Sequence, residues 1–301
     1  MIPPRRLTLS IPPERAGQKV DTLLRKVLGL SGTVIRRAKW LPNGILLDGV
    51  QVFTSARVAA GQILSVQVGD SAVTSGIVPA QGMLDIVYED EDLLVINKAP
   101  GISVHPGPGH FSDTIGNFLM NYYESSGILA DFHPVHRLDK GTSGLLLVAK
   151  YPHAQEKLKQ ALHTNRFQRT YLSVCDGQPS PPAGIIDVPI GPMDSSLFAQ
   201  QVRPDGKCAV THYEVLRSLP YQRSLVKLVL ETGRTHQIRV HMAHIGCPLT
   251  GDFLYGRENP DLIARPALHA WKLEFFHPIS DKFFSFTAEI PPDFLALTAS
   301  Q

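Results

Sequence analysis

A short apolar stretch near the middle of the chain places the strongest constraint on the fold. Residues 145–149, Leu-Leu-Leu-Val-Ala, contain no polar side chain and lie between Gly144 and Lys150. An apolar run of this length with such borders predicts a buried β-strand. The residues directly before this run should therefore stand at the end of a strand in the interior of the protein.

These preceding residues form a candidate reactive site. Asp139 lies close to the cations Arg137 and Lys140, and a turn of glycine and small hydroxyl residues follows it. The rigid end of a strand would aim this carboxylate, and a nearby cation would keep it ionised even in a partly dry pocket. A surface turn with a stabilising ion pair has the same residue types, so the local pattern leaves both interpretations open.

Length and polarity restrict the class of protein. The 301 residues suffice for two domains with a sizeable core. No apolar run approaches the roughly 18 residues that a membrane span needs. The first residues lack the apolar core of a signal peptide. We therefore expect a soluble, cytoplasmic protein that is not associated with a membrane.

Cysteine and histidine spacing argues against a metal site. The sequence contains no C-x-x-C pair. His236, His241 and His244 lie close together, but no cluster of cysteines or carboxylates accompanies them. We expect no bound metal, and we expect these histidines to occupy ordinary polar or core positions of a helix.

The first 70 residues differ in charge from the rest of the chain. They contain 10 Lys and Arg against 4 Asp and Glu, whereas the remaining residues contain 19 against 23. Apolar spacing predicts two helices within residues 20–39, the second displaying Arg36, Arg37 and Lys39, and strand-like runs follow within residues 44–68. A basic helix face would bind phosphates in a salt-dependent way, although a solvated basic surface would have the same composition.

Several separate elements resemble the RluA/RluD-type family of RNA pseudouridine synthases. The matching sequences are NKAPG at 97–101, HRLDKGTSGLLLVAK at 136–150, QRTYLS at 168–173, TGRTHQIRVH at 232–241 and PLTGDFLYG at 248–256. The first reverses the family's order of Pro and variable residue, and the third has Ser where Ala is common. Because the elements also occur in the family's order, the chain is identified as a member of this family.

The resemblance implies roles for four residues. Asp139 corresponds to the catalytic Asp of the family, and Arg239 corresponds to the Arg that pairs with it. Tyr171 would lie against the target base, where stacking on an aromatic ring is worth about 1–3 kcal/mol. Arg137 would fill the gap that the flipped uridine leaves in the RNA. The residues do not decide whether Asp139 acts as nucleophile or as base at the ribose.

The expected architecture is α+β with two domains. Residues 1–70 resemble the S4 RNA-binding module and would form a small α/β domain. Residues 71–82, mostly small or polar and interrupted by Gly and Pro, would form a linker. Residues 83–301 would form the catalytic domain, with a mixed, mainly antiparallel sheet of the pseudouridine synthase type. We expect a monomer that needs no cofactor, because the glycosidic bond is broken and remade within one substrate.

The expected substrate is large-subunit (23S) ribosomal RNA, which the S4-like segment and the family resemblance favour. Transfer RNA stays open as a second substrate, because one sequence contains no readable code for RNA shape. A serine hydrolase is a poor match, since Leu145 occupies the last glycine position of the G-x-S-x-G elbow. Two competing classes of protein stay open, namely a glycosidase that uses Asp139 and Asp252 and a non-catalytic RNA-binding protein.

Overall fold

The computed structural model describes residues 3–196 and 198–299, so the outermost residues of the two predicted domains lie outside the described part. The helices are α1 Val20–Lys26, α2 Gly32–Trp40, α3 Ile115–Ser125, α4 Pro152–Ala161, α5 Gln237–His244 and α6 Pro292–Thr298. The strands are β1 Arg6–Ser10, β2 Ile45–Leu47, β3 Val50–Gln51, β4 Ile63–Gln67, β5 Ile86–Glu89, β6 Leu93–Lys98, β7 His133–Pro134, β8 Ser143–Ala149, β9 Phe167–Asp176, β10 Ala183–Asp187, β11 Ile190–Pro192, β12 Gln200–Val202, β13 Val210–Leu219, β14 Arg223–Leu230, β15 Leu268–Phe276 and β16 Phe283–Thr287.

The N-terminal residues form a small four-stranded antiparallel sheet with two helices. The strand order is β1-β4-β2-β3. Buried side chains of α1 and α2, such as Leu23 and Ile35, share one hydrophobic cluster with Ile45 of β2 and Leu64 of β4. Helix α2 begins at a cap in which the Ser31 hydroxyl accepts from the Val34 backbone N–H at 3.5 Å.

The basic surface of α2 is smaller than its sequence predicts. Arg36 and Lys39 are exposed. Arg37 instead donates to Asp70 at 3.0 Å and to the backbone carbonyls of residues 68 and 69 at 2.8 and 3.0 Å. The expected display of Arg37 is therefore wrong, because it lies one turn after the buried Val34 and reaches the carbonyls beyond the end of β4.

The rest of the chain is built on one mixed, mainly antiparallel sheet, which confirms the predicted fold class. Its order is β10-β13-β14-β9-β15-β8-β6-β5, with β16 paired to β15 and β7 paired to β8. The pair formed by β8 and β15 is parallel. The apolar run at 145–149 lies within β8, whose seven residues are all buried between β6 and β15. Both faces of β8 are covered, which explains why no polar residue interrupts the run.

The two faces of the large sheet belong to different hydrophobic clusters. Leu145 and Leu147 of β8 pack in the cluster that also contains the N-terminal helices and β4. Leu146 and Val148 point to the opposite face and pack with residues of α3 and α5. The N-terminal residues therefore pack against one face of the sheet, and α5 brings functional side chains to the other.

The segment at 71–82 contains neither helix nor strand but is held against the large sheet's domain. The backbone N–H groups of Thr74 and Ser75 both donate to Asp131 at 2.8 Å. The Asn117 amide of α3 donates to the Val78 carbonyl at 2.8 Å. None of the helices within residues 3–196 and 198–299 combines the length and apolar character needed to cross a membrane.

Candidate active site

The four residues singled out by the sequence line one cavity of about 240 Å³. Asp139 and Arg137 lie in the coil before β8, Tyr171 in β9, and Arg239 in α5. The turn after Asp139 is closed by a hydrogen bond from the Thr142 N–H to the Asp139 carbonyl at 3.0 Å. Residues from three distant parts of the sequence thus meet at the end of the buried central strand.

Asp139 is the only carboxylate among the described residues that line this cavity, and four arginines line it too: Arg137, Arg169, Arg234 and Arg239. The Asp139 side chain is 31% exposed, and its Oδ2 lies 3.7 Å from the Nη1 of Arg239. At that separation the two groups attract each other without a direct hydrogen bond. The cavity is electropositive around one accessible anionic group.

Arg239 has a closer partner than the one the sequence indicated. Its Nε and Nη2 donate to the two oxygens of Asp252 at 2.7 and 2.8 Å, and both side chains are buried. Burial alone lowers the pKa of Arg239, but the Asp252 hydrogen bonds and the charges of Asp252 and Asp139 outweigh it and raise the pKa. Asp252 has no exposed surface, so it is not available as the second carboxylate of a glycosidase.

Tyr171 and Arg137 occupy different depths of the cavity. Tyr171 is 4% exposed and belongs to the hydrophobic cluster on the α5 side of the sheet. Burial raises the pKa of its hydroxyl, which is already protonated at neutral pH without this shift. Arg137 is exposed, and its Nη2 lies 3.4 Å from the Thr235 hydroxyl. The Tyr171 ring therefore forms part of the cavity wall, and the Arg137 guanidinium group lies at the cavity rim.

Lys98 was not assigned a role by the sequence, although it lies in the NKAPG element. This side chain is 1% exposed and donates to the carbonyls of Ala99, Ile102 and Lys140 at 2.8, 2.9 and 3.2 Å. Burial lowers the pKa of Lys98 to about 7, with a further lowering from Arg265 and an opposing effect of Asp139. The buried amine joins the end of β6 to the residue that follows Asp139.

The three clustered histidines differ in their surroundings. His241 is buried, with Nδ1 2.9 Å from the Thr211 hydroxyl and Nε2 3.0 Å from the Val188 carbonyl. His244 is exposed on the same helix. His236 instead lines the cavity, with Nε2 4.0 Å from Asp139 Oδ2. The sequence did not indicate that His236 belongs to the site, because the turn before α5 determines where its side chain points.

One group of potential metal ligands lies away from the cavity. Within the described residues, Asp90, Asp92 and His277 place one ligand atom each within 4.8 Å of one another. His277 Nδ1 accepts hydrogen bonds from the backbone N–H groups of residues 279 and 280 at 3.2 and 3.1 Å. The ring proton of His277 therefore lies on Nε2, 3.1 Å from Asp90. This proton occupies the position that a metal ion would need.

Comparisons with known proteins point to one family. A family model described as RNA pseudouridylate synthase matches residues 92–244, about half of the chain. The uncharacterized RNA pseudouridine synthase YjbO of Bacillus subtilis is 39% identical over 266 residues, covering 88% of this chain and 93% of that protein. Ribosomal large subunit pseudouridine synthase D of Escherichia coli is 37% identical and covers 97% of this chain and 93% of its own.

Solved structures give the same result. Human RNA pseudouridylate synthase domain containing 1 superposes with a TM-score of 0.57 at 27% identity, over 69% of this chain and 84% of that chain. Since the relatives exceed 30% identity over nearly the whole length, the relationship extends beyond the shared fold. The chain belongs to the family of RNA pseudouridine synthases, isomerases that convert uridine in RNA to pseudouridine.

Proposed function

We propose that this enzyme isomerises uridines of large-subunit ribosomal RNA, with Asp139 as the catalytic carboxylate. The observation that carries this role is the position of Asp139 as the one carboxylate among the described residues of an arginine-lined cavity. The arginines attract the RNA backbone. A single anionic group within hydrogen-bond reach of the ribose can then act on the sugar.

The reaction requires that the uridine leave its stem. A paired base is inaccessible, so the enzyme rotates the target nucleotide out of the helix and into the cavity. The uracil ring then lies against Tyr171, which forms part of the cavity wall. Arg137 at the exposed rim enters the space that the base has left. Stacking on Tyr171 contributes roughly 1–3 kcal/mol, which offsets part of the cost of unstacking.

The chemistry exchanges one bond to the ribose for another. Asp139 acts at the ribose while the bond between N1 and C1′ breaks, and the uracil turns within the cavity. A bond then forms between C5 and C1′, the C5 hydrogen leaves as a proton, and N1 takes up a proton in its place, so that the mass of the RNA is unchanged. Arg239, fixed by Asp252, directs its positive charge toward Asp139 and so helps to orient that carboxylate. The glycosidic bond is thus broken and remade within one substrate molecule.

The proposed target and domain organisation rest on the relatives and on surface charge. Relatives named ribosomal large subunit pseudouridine synthase D cover 97% of this chain at 35–37% identity. We assign residues 1–70 as an S4-type RNA-binding domain, residues 71–82 as its connection, and residues 83–301 as the catalytic domain. The exposed Arg36 and Lys39 of α2 supply phosphate contacts that are independent of sequence.

Position-resolved mapping of pseudouridine in total RNA tests this proposal. Cells that lack the protein should lose pseudouridine at one or a few sites of 23S ribosomal RNA. Wild type should restore these sites, whereas Asp139→Ala and Asp139→Asn should not, because the acting carboxylate is gone. Asp261→Asn, an exposed carboxylate, serves as the control and should restore them.

Each contrary outcome has a definite meaning. Loss of sites in transfer RNA alone would show that the assigned substrate is wrong. Restoration by Asp139→Ala would exclude the catalytic role of Asp139. An unchanged map under all growth conditions would favour a non-catalytic RNA-binding protein.

A further inference from the structure

His236 stands directly before α5 with its ring in the cavity. Its backbone is left-handed, with φ 57° and ψ 18°, a region that residues other than glycine seldom adopt. The side chain is 16% exposed. An uncommon backbone conformation at the wall of a reactive cavity indicates that the direction of this ring serves the site.

The surrounding hydrogen bonds assign the proton on the ring. The Gln200 backbone N–H donates to the Tyr255 hydroxyl oxygen at 2.7 Å. The Tyr255 hydroxyl in turn lies 2.7 Å from Nδ1 of His236, and we assign its proton to this contact. Burial raises the pKa of Tyr255, which keeps this proton in place. The ring proton of His236 is therefore on Nε2, the nitrogen that faces Asp139.

The surroundings of the His236 ring favour its neutral form in the free enzyme. Burial is the largest effect and lowers the pKa of His236. The negative charges of Asp139 and Asp252 raise this pKa, and the positive charges of Arg239 and Arg137 lower it. The net effect is a lowered pKa. The Tyr255 hydroxyl faces the ring from the turn after α5. A neutral ring can donate a hydrogen bond to Asp139 without placing a second full positive charge beside Arg239.

We propose that His236 is a positioning residue that donates its Nε2 proton to Asp139 when RNA fills the cavity. In the free enzyme, His236 and Arg239 lie 4.0 and 3.7 Å from the same oxygen of Asp139, too far for hydrogen bonds. Catalytic hydrogen bonds are often long in free enzymes and tighten in the substrate complex. The two donors then hold Oδ2 from two sides, which leaves the other oxygen to act at the ribose.

Two amide substitutions separate this role from a structural one. In His236→Gln the amide nitrogen reaches the position of Nε2, whereas in His236→Asn it reaches only the position of Nδ1. Asn is the better residue for a left-handed backbone. A purely structural role therefore favours Asn at position 236, and a donor role favours Gln.

The test is the single-turnover rate of tritium release from a synthetic stem–loop RNA labelled at C5 of the mapped uridine. The label leaves as the new bond to C5 is completed. We expect His236→Asn to slow this release on the order of 100-fold, the usual effect of a misplaced reacting group, with unchanged RNA affinity. His236→Gln should recover most of that rate. Tyr255→Phe, which frees the ring proton to move to Nδ1, should slow release roughly tenfold.

His244→Asn, on the exposed side of the same helix, should match wild type in rate and thermal unfolding. Equal losses in His236→Gln and His236→Asn, or a His236→Asn variant as fast as wild type, would overturn the inference. The inference rests on the proposed role of Asp139, and a wild-type enzyme that releases no tritium would contradict that proposed function instead.

Discussion

At the scale of single residues, one arginine lies beside two carboxylates, one buried and one facing the cavity. Asp252 binds Arg239 through two hydrogen bonds in a fully buried position, whereas Asp139 lies 3.7 Å away and faces the cavity. The buried pair fixes the guanidinium group, because a bidentate contact restricts both its position and its plane. The remaining Nη1 then presents a positive charge to Asp139 in a constant direction.

This arrangement predicts a large effect of Asp252→Asn. The substitution leaves the buried charge of Arg239 without its anion, so we expect a loss of roughly 3–5 kcal/mol in the free energy of unfolding. Urea titration of both proteins measures this loss. Asp205→Asn removes a partner of Arg203, whose carboxylate partners are mostly exposed, and should leave the free energy of unfolding nearly unchanged. Equal losses in the two variants would contradict the importance of the buried pair.

At the scale of secondary-structure elements, the turn between β5 and β6 is held by one carboxylate. Asp90 accepts hydrogen bonds from the N–H groups of Asp92 and Leu93 at 2.8 and 2.9 Å and from the Tyr88 hydroxyl at 2.8 Å. His277, which follows β15, adds a fourth contact at 3.1 Å. Burial alone raises the pKa of Asp90, but the His277 bond and the other bonds outweigh it and lower the pKa to about 2.

The lowered pKa of Asp90 predicts how stability changes with acid. Since the pKa in the folded chain is lower than the ordinary value of 3.8, the stabilisation is present above pH 4 and is lost as the pH falls toward 2. After allowance for solvent screening, Asp90→Asn should cost about 1 kcal/mol at pH 7 and less at pH 3. Urea unfolding at both pH values measures the difference.

Glu91 provides the control for this prediction. It lies in the same turn with its side chain 75% exposed and pairs with Arg5. Glu91→Gln should therefore have little effect at either pH. A cost of Asp90→Asn that is the same at pH 7 and pH 3 would show that lost shape, and not lost charge, is the cause.

At the scale of the whole molecule, the N-terminal residues are joined to the large sheet by both apolar and charged contacts. They share a hydrophobic cluster with Leu93 of β6 and Leu158 of α4. Asp70 connects Arg37 at 3.0 Å with His133 of β7 at 2.7 Å. Removal of residues 1–70 would uncover this apolar surface, so charge substitutions are a cleaner test of RNA binding than deletion.

The paired substitution Arg36→Ala and Lys39→Ala should weaken RNA binding similarly for all sequences. Each lost phosphate contact should reduce the slope of log affinity against log salt by about 1. Binding of the mapped stem–loop at several salt concentrations measures this slope. Lys282→Ala, an exposed lysine before β16, is the control and should leave the slope unchanged. An unaltered slope in the double variant would exclude α2 as a phosphate-binding surface.

Sequence alone determined the elements and the candidate residues whose evidence is local. The apolar run of β8 has both faces buried, so its composition already indicates a central strand. Asp139, Arg137, Tyr171 and Arg239 could be singled out because short motifs surround each of them. These four residues line one cavity of the structure. The role of each of them is a proposal.

Only the tertiary structure decided which groups face one another. The sequence did not indicate four of these contacts: the closer partner of Arg239, the carbonyls bound by Lys98, the carbonyls bound by Arg37, and the place of His236 beside Asp139. Periodicity and motif spacing describe the order of residues along one element. The packing of distant elements determines which partner a buried charge has. A partner is necessary there, because a buried charge without hydrogen bonds strongly destabilises the fold.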